Sequence, residues 1–264
     1  MGGLDATGAS LTTVMKLDGA TMTWSAVAPL PEPLHHANVG VVNGKLYVVG
    51  VLAPNFSARA DVLEYDPALD TWTARAPIPN AQRRGASAVG VIGNEIIIAG
   101  GMRGGTAATD VTAYDPLTNT HRTLASLPSA TEHVVGAAVG TKLYVIGGRN
   151  GTIASITARV DIYDAVTNTW TRGPDLPTAR GGHAAAVVDS RIVVFGGEGH
   201  HLNAGVFPHT EVLDTPTLTW SRGPDMMTPR HGTGAATLRG RIIVPGGATV
   251  QGVGAVTTVE AFSF

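Results

Sequence analysis

The chain has 264 residues, of which 14% are charged and 44% hydrophobic, with 34 glycines and no cysteine. Its 18 Lys and Arg against 20 Asp and Glu leave a formal net charge of −2 with no basic run, so neither nucleic acid nor an anionic membrane surface is an expected partner. Disulfides, thiolate zinc sites and cysteine nucleophiles are excluded, and no apolar run approaches the length of a membrane span.

From the N-terminus, residues 1–11 lack a basic stretch followed by an apolar core, so no signal peptide is predicted and the compartment stays open. Residues 12–17 and 21–26 read as two short strands, the second holding Trp24. One pattern then recurs. In the second unit, residues 86–92 predict a first strand, Gly93-Asn94 a hairpin turn and residues 95–99 a second strand. A loop over residues 100–108 leads to a third strand at 110–114, and Asp115-Pro116-Leu117-Thr118-Asn119 turns into a short fourth strand around His121. Four such units span residues 36–74, 86–124, 133–172 and 183–222. First, second and third strands follow at 233–238, 241–244 and 257–264, without a fourth.

Two landmarks keep the phase. Glycine pairs stand at Gly2-Gly3, Gly100-Gly101, Gly147-Gly148, Gly196-Gly197 and Gly246-Gly247, with Gly50-Val51 filling the series, at spacings of 48, 50, 47, 49 and 50 residues. Trp24, Trp72, Trp170 and Trp220 follow by 22, 22, 23 and 24 residues, and His121 takes that place 21 residues after Gly100. Such a period suits propeller blades, not helical solenoids. A four-stranded blade exposes two apolar faces, and stacking blades around an axis buries both. The strand around Trp24 would complete the last blade by pairing with the C-terminal strands, which predicts one all-β domain, 1–264, of five four-stranded blades. The alternative is six blades with one incomplete, which at this period would need about 294 residues. Residues 12–17 read as another third strand that competes with 257–264 for one place in the closing blade, so one of the two is surplus, and an unpaired edge of this kind offers a route to self-association.

The double glycines, the spaced tryptophans, Tyr65-Asp66-Pro67, Tyr114-Asp115-Pro116, Tyr163-Asp164, and the segments around Leu176-Pro177-Thr178-Ala179-Arg180 and Met227-Thr228-Pro229-Arg230 resemble the kelch-repeat family over nearly the whole chain. The resemblance implies the propeller fold. It implies function less narrowly, since the family includes protein-binding adaptors, actin-binding proteins, sugar-acid epimerases, copper oxidases and iron-dependent specifier proteins. The copper-oxidase pattern fails for want of cysteine, and no cofactor is expected.

Aligning the units on their glycines brings polar residues to the start of each first strand, near one mouth of the channel. One column reads Leu34, Arg84, Thr131, Arg180, Arg230; the next reads His35, Gly85, Glu132, Gly181, His231; the third reads His36, Ala86, His133, Gly182, Gly232, with His183 one place on. Arg84, Arg180 and Arg230 with His36, His183 and His231 would form a hydrogen-bonding cup for a small carboxylated ligand or for a protein or peptide. The competing reading packs the arginines between blades against loop carbonyls. Alternation along an extended strand turns adjacent residues to opposite faces, which counts against all the histidines meeting, and no metal is expected. Arg103, Arg149, His200, His201 and His209 mark the rim loops. The leading functional reading is a non-catalytic module that binds a protein or peptide on this rim. The alternatives are a sugar-acid isomerase or epimerase, with Arg180 and Arg230 clamping a carboxylate and Glu132 or His133 as base, and a truncated or engineered propeller without a specific ligand.

Overall fold

The computed structural model describes residues 1–199 and 205–263. The repeated alternation of short apolar strands and Gly-, Asn- and Asp-rich turns produces antiparallel sheets in strict chain order. The third blade shows the plan: Val135–Val139, Lys142–Ile146, Val160–Asp164 and Thr169–Arg172 pair each with the next. Residues 39–74, 88–123 and 184–222 form three more four-stranded blades, and Ala236–Leu238, Arg241–Pro245 and Val259–Ser263 form a fifth of three strands. This is a five-bladed all-β propeller, and among the described residues no helix is long and apolar enough to cross a membrane.

Second strands are covered on both faces, which is why they read as continuous apolar runs. Ile96, Ile97, Ile98, Leu143, Ile146, Ile192 and Val194 are all essentially inaccessible. Each such side chain stabilises the fold by about 1.5–3 kcal/mol relative to exposure. The first strands of neighbouring blades touch around the axis. Those of the second to fifth blades line an open channel of about 350 Å³ with small apolar walls, including Val91, Ala138, Ala185, Val187 and Ala236.

The tryptophan column is an inter-blade clamp. Trp72, Trp170 and Trp220 donate their indole N–H to the carbonyls of Ala28, Ala125 and Pro174 on the preceding connection, at 2.9, 2.8 and 3.1 Å. His121 reaches the carbonyl of Ala76 at 2.9 Å through Nε2, so the imidazole supplies the N–H that a tryptophan would. Beside each of the first three clamps, Asp70, Asn119 or Asn168 accepts a backbone N–H from the same connection and a tyrosine hydroxyl from its own blade. The double glycine is equally local in cause. Gly101 has φ 107°, and a Cβ there would lie 2.1 Å from the Ser87 hydroxyl. Where Val51 replaces the second glycine, the ladder bulges between Val49 and Val51, and the strands lengthen to Lys45–Leu52 and Ala58–Asp66.

The N-terminus departs from expectation. Trp24–Val27 pairs with Val14–Leu17, and no pairing with Val259–Ser263 occurs among the described residues. The cause is proximity: Asp18 accepts the backbone N–H groups of Ala20 and Thr21 and closes a tight turn, so the two strands meet at small loop-closure cost. The strand expected to compete with the C-terminal one for the closing blade is thus the partner of the strand expected to complete that blade. Val14 and Val27 pack with Leu30, Leu34 and Val48 of the first-blade side, while a Cβ at Gly19 would lie 3.1 Å from Leu238 of the fifth blade. The hairpin therefore bridges the first and fifth blades by side-chain packing.

Candidate binding site at the channel mouth

Each blade opens with a short irregular segment that bridges the residue just beyond its glycine pair: His35 with Leu52, Gly85 with Met102, Glu132 with Arg149, Gly181 with Glu198, and His231 with Ala248. The next residue in every blade has positive φ: His36 51°, Ala86 54°, His133 48°, Gly182 57° and Gly232 63°. Backbone bonds link this ring across blades, from Ala86 N–H to His36, from Gly182 N–H to His133 and from Gly232 N–H to Gly182. Three of the five positions are Gly or Ala, so His36 and His133 are the side chains that occupy the ring.

The left-handed backbone is why strand alternation does not apply here. Adjacent His35 and His36 contact each other through their Nδ1 atoms, and His133 Nδ1 contacts the carboxylate of adjacent Glu132. His36 Nε2 lies 3.0 Å from His133 Nε2, across the mouth from the first blade to the third. Arg149 Nε donates to Glu132 at 2.8 Å, its Nη1 donates to Glu198, and its Nη2 lies 3.3 Å from both His133 ring nitrogens. His231 Nε2 is 3.7 Å from Glu198. Seven side chains from four blades thus form one polar network, and Phe56, with its ring 4.5 Å from that of His35 and 46% exposed, stands beside it.

The network assigns its own protons. Glu132 accepts from His133 Nδ1–H, so His133 Nε2 accepts from His36 Nε2–H, and His36 Nδ1 accepts from His35 Nδ1–H. Burial, reinforced by His35 and Arg149, pushes His36 down to about 3. Burial also holds His133 well below its ordinary range, and lowers His35 and His231. The imidazoles are therefore neutral near pH 7, while Arg149 lies between two carboxylates. Among the described residues no group of three or more His, Asp or Glu is arranged to hold a metal ion.

The other residues singled out from sequence lie elsewhere. Arg84, Arg180 and Arg230 are fully buried within their blades and do not form a cup. Arg180 donates to the carbonyls of Thr178, Gly196 and His209 and pairs with Glu211. Arg230 donates to Thr228, Val244, Gly246 and Thr258 and pairs with Glu260 at 3.1 Å. The carboxylate clamp expected of an enzyme is therefore not formed by Arg180 and Arg230, because their donors are committed to their own blades. His183 is buried behind Gly147, and burial pushes it down to about 3. Arg103 pairs with Asp110 at 2.9 Å, and His209 lies against Arg222 and Phe207. His200 and His201 lie outside the described residues. Phe56 joins the site without having been expected; Glu198, which follows Gly196-Gly197 as Arg149 follows Gly147-Gly148, opens the most polar of the rim loops read from sequence.

Comparison with known proteins agrees with the repeat. Residues 132–263 match the KLHDC2/KLHL20/DRC7 Kelch-repeats domain, and residues 83–128 match the Kelch motif. The Kelch-like protein terF of Aspergillus terreus (strain NIH 2624 / FGSC A1156) is 33% identical over 93 residues, 34% of this chain and 20% of that protein, so the match spans a fifth of the relative's length. The structure of YjhT superposes with a TM-score of 0.82 at 16% identity, covering 96% of this chain and 89% of that one, a likeness of fold. With a family domain matching half the chain and a second kelch repeat preceding it, the chain belongs to the kelch-repeat β-propeller family.

Proposed function

We propose that this propeller is a non-catalytic recognition module that holds a protein or peptide against the channel mouth and its rim loops. A kelch propeller suits a binding module in general, because a rigid ring presents loops from several blades on one face. The observation that carries the narrower reading is the cross-blade network itself: His36, His133, Arg149, Glu132 and Glu198 hold each other in fixed positions beside the exposed ring of Phe56. A pre-ordered polar platform flanked by one accessible aromatic resembles an interface hot spot, which loses little entropy on binding. Arg149 is already neutralised by two carboxylates, which counts against a small carboxylated ligand as the main partner.

Selection of peptides from a random library on the wild-type protein, followed by calorimetry, tests the reading. Peptides selected for the mouth should bind Phe56→Ala at least tenfold more weakly. Selection of no binder, or of binders indifferent to Phe56→Ala and Arg149→Gln, overturns it.

A further inference from the structure

The buried arginines obey one geometry. Arg84, Arg180 and Arg230 each donate to the carbonyl two residues earlier (Gln82, Thr178, Thr228) and to the first glycine of the pair sixteen residues later (Gly100, Gly196, Gly246). Arg84 and Arg230 also reach the strand carbonyl fourteen residues later, at Ile98 and Val244. Arg180 and Arg230 complete the set with a carbonyl at His209 or Thr258 and a carboxylate at Glu211 or Glu260. Each cradle offers a planar guanidinium nothing but acceptors.

The third blade has the cradle without the arginine. Its backbone is in the same place: Gly101 N–H donates to Thr131 as Gly148 N–H does to Arg180 and Gly197 N–H to Arg230, at 2.8, 2.9 and 2.9 Å. Thr131 is too short to fill the space, and its hydroxyl reaches only the Gly147 carbonyl, at 3.2 Å. A cavity of about 100 Å³ remains, lined among others by Ser129, Thr131, Val145, Gly147, Arg159 and Asp161, with Arg149, whose charge is shared between Glu132 and Glu198, also on its wall. These are the matching positions: Ser129 two residues before Thr131, Val145 and Gly147 fourteen and sixteen after, Arg159 in the place of His209 and Thr258, and Asp161 in the place of Glu211 and Glu260. The Asp161 side chain is 5% exposed.

We propose that this cavity is a receptor for an alkylguanidinium, the head group of an arginine side chain supplied from outside the chain. The carbonyl oxygens of Ser129, Val145, Gly147 and Arg159 supply the acceptors that the other cradles supply to their internal arginine, and Asp161 supplies the charge. Arg159 already bonds Asp161, at 2.6 Å through Nε and 2.7 Å through Nη2. A carboxylate has about four acceptor positions, so two remain for a second guanidinium; in the fourth blade Glu211 likewise serves both Arg180 and the Thr178 hydroxyl. Arg159 is then a competitor that moderates affinity. The volume suits a guanidinium and the end of its stem, not a sugar.

The probe is N-acetyl-arginine-N-methylamide, with its citrulline counterpart as the uncharged isostere, titrated by NMR and calorimetry. This result is independent of whether a protein docks at the mouth. We expect saturable binding of the arginine probe and at least tenfold weaker binding of citrulline. Thr131→Arg, which restores the residue of three sister blades, should fold with an unchanged or higher Tm and lose binding. Arg159→Gln should bind severalfold more tightly. Asp161→Asn should bind at least tenfold more weakly, and serves if Thr131→Arg fails to fold. Equal binding of the two probes, no saturable binding to wild type or Arg159→Gln, or binding retained in Thr131→Arg or Asp161→Asn overturns the proposal.

Discussion

Arg180 and Arg149 are both ion-paired arginines next to a glycine pair, yet one belongs to a blade and the other to the ring. Arg180 spends its donors on Thr178, Gly196, His209 and Glu211, all within the fourth blade and its leading segment. Arg149 joins Glu132 of its own blade to Glu198 of the next and lies against His133. The histidines divide the same way: His183 is enclosed, whereas His36 reaches across the mouth to His133. Residue type and period are shared, so what distinguishes a structural from a site residue is where its partners come from. For these charged residues, contacts confined to one blade stabilise that blade, whereas contacts between blades at the mouth shape its surface.

Acid should strain both regions together and most severely. His36 and His183 have folded pKa values of about 3 against about 6.5 when unfolded, so below pH 6.5 the unfolded chain binds more protons and stability falls as pH falls. Each contributes a slope of about 1.4 kcal/mol per pH unit, which for the two amounts to about 5 kcal/mol between pH 6.5 and 4.5. Urea unfolding across that range checks this, and His183→Gln should lower the slope by about 1.4 kcal/mol per pH unit. A slope unchanged by that substitution would place the acid sensitivity at the mouth alone.

The next largest effect is expected inside the blade. Arg180→Met strands Glu211, only 3% exposed in its side chain, and should cost about 3–5 kcal/mol at pH 7. Arg84→Met leaves only a threonine hydroxyl and carbonyls without their donor, so about 1–3 kcal/mol is expected. Equal losses from the two, measured by calorimetry, would mean that the carboxylate contributes nothing beyond the shared carbonyl cradle. At the mouth, Phe56→Ala should cost about 1–1.5 kcal/mol, since the ring is about half buried against His35 and His36, while weakening peptide binding at least tenfold. Smallest of all, His121→Trp should retain the N–H donated to Ala76 and add apolar burial, raising stability by about 0.5–1 kcal/mol.

Much of the fold was legible because it is written locally and repeated. Gly93-Asn94, the Asp66 and Asp115 turns, the apolar second strands and the tryptophan column each follow from short-range chemistry in phase with the period. The same period brought Arg84, Arg180 and Arg230 into one column and His36 and His133 into another. It did not say which way those side chains point, because one residue of each segment holding them is left-handed and breaks the extended course. Nor could it show that Thr131, a modest departure in the arginine column, leaves a cavity, since that depends on Val145, Gly147 and Asp161 keeping their sister-blade positions around it.

By itself, then, the sequence determined the repeat, the strand order and the family, since each depends on residues within one period of one another. Tertiary structure decided the rest: that Trp24–Val27 pairs with its neighbour instead of the C-terminal strands, that the arginine column turns inward, and that His36, His133, Arg149 and Glu198 meet. The first follows from the short Asp18 turn and the second from acceptors within each arginine's own blade. The third joins residues about 50 to 100 positions apart, which only stacking the blades around a common axis brings within hydrogen-bond reach.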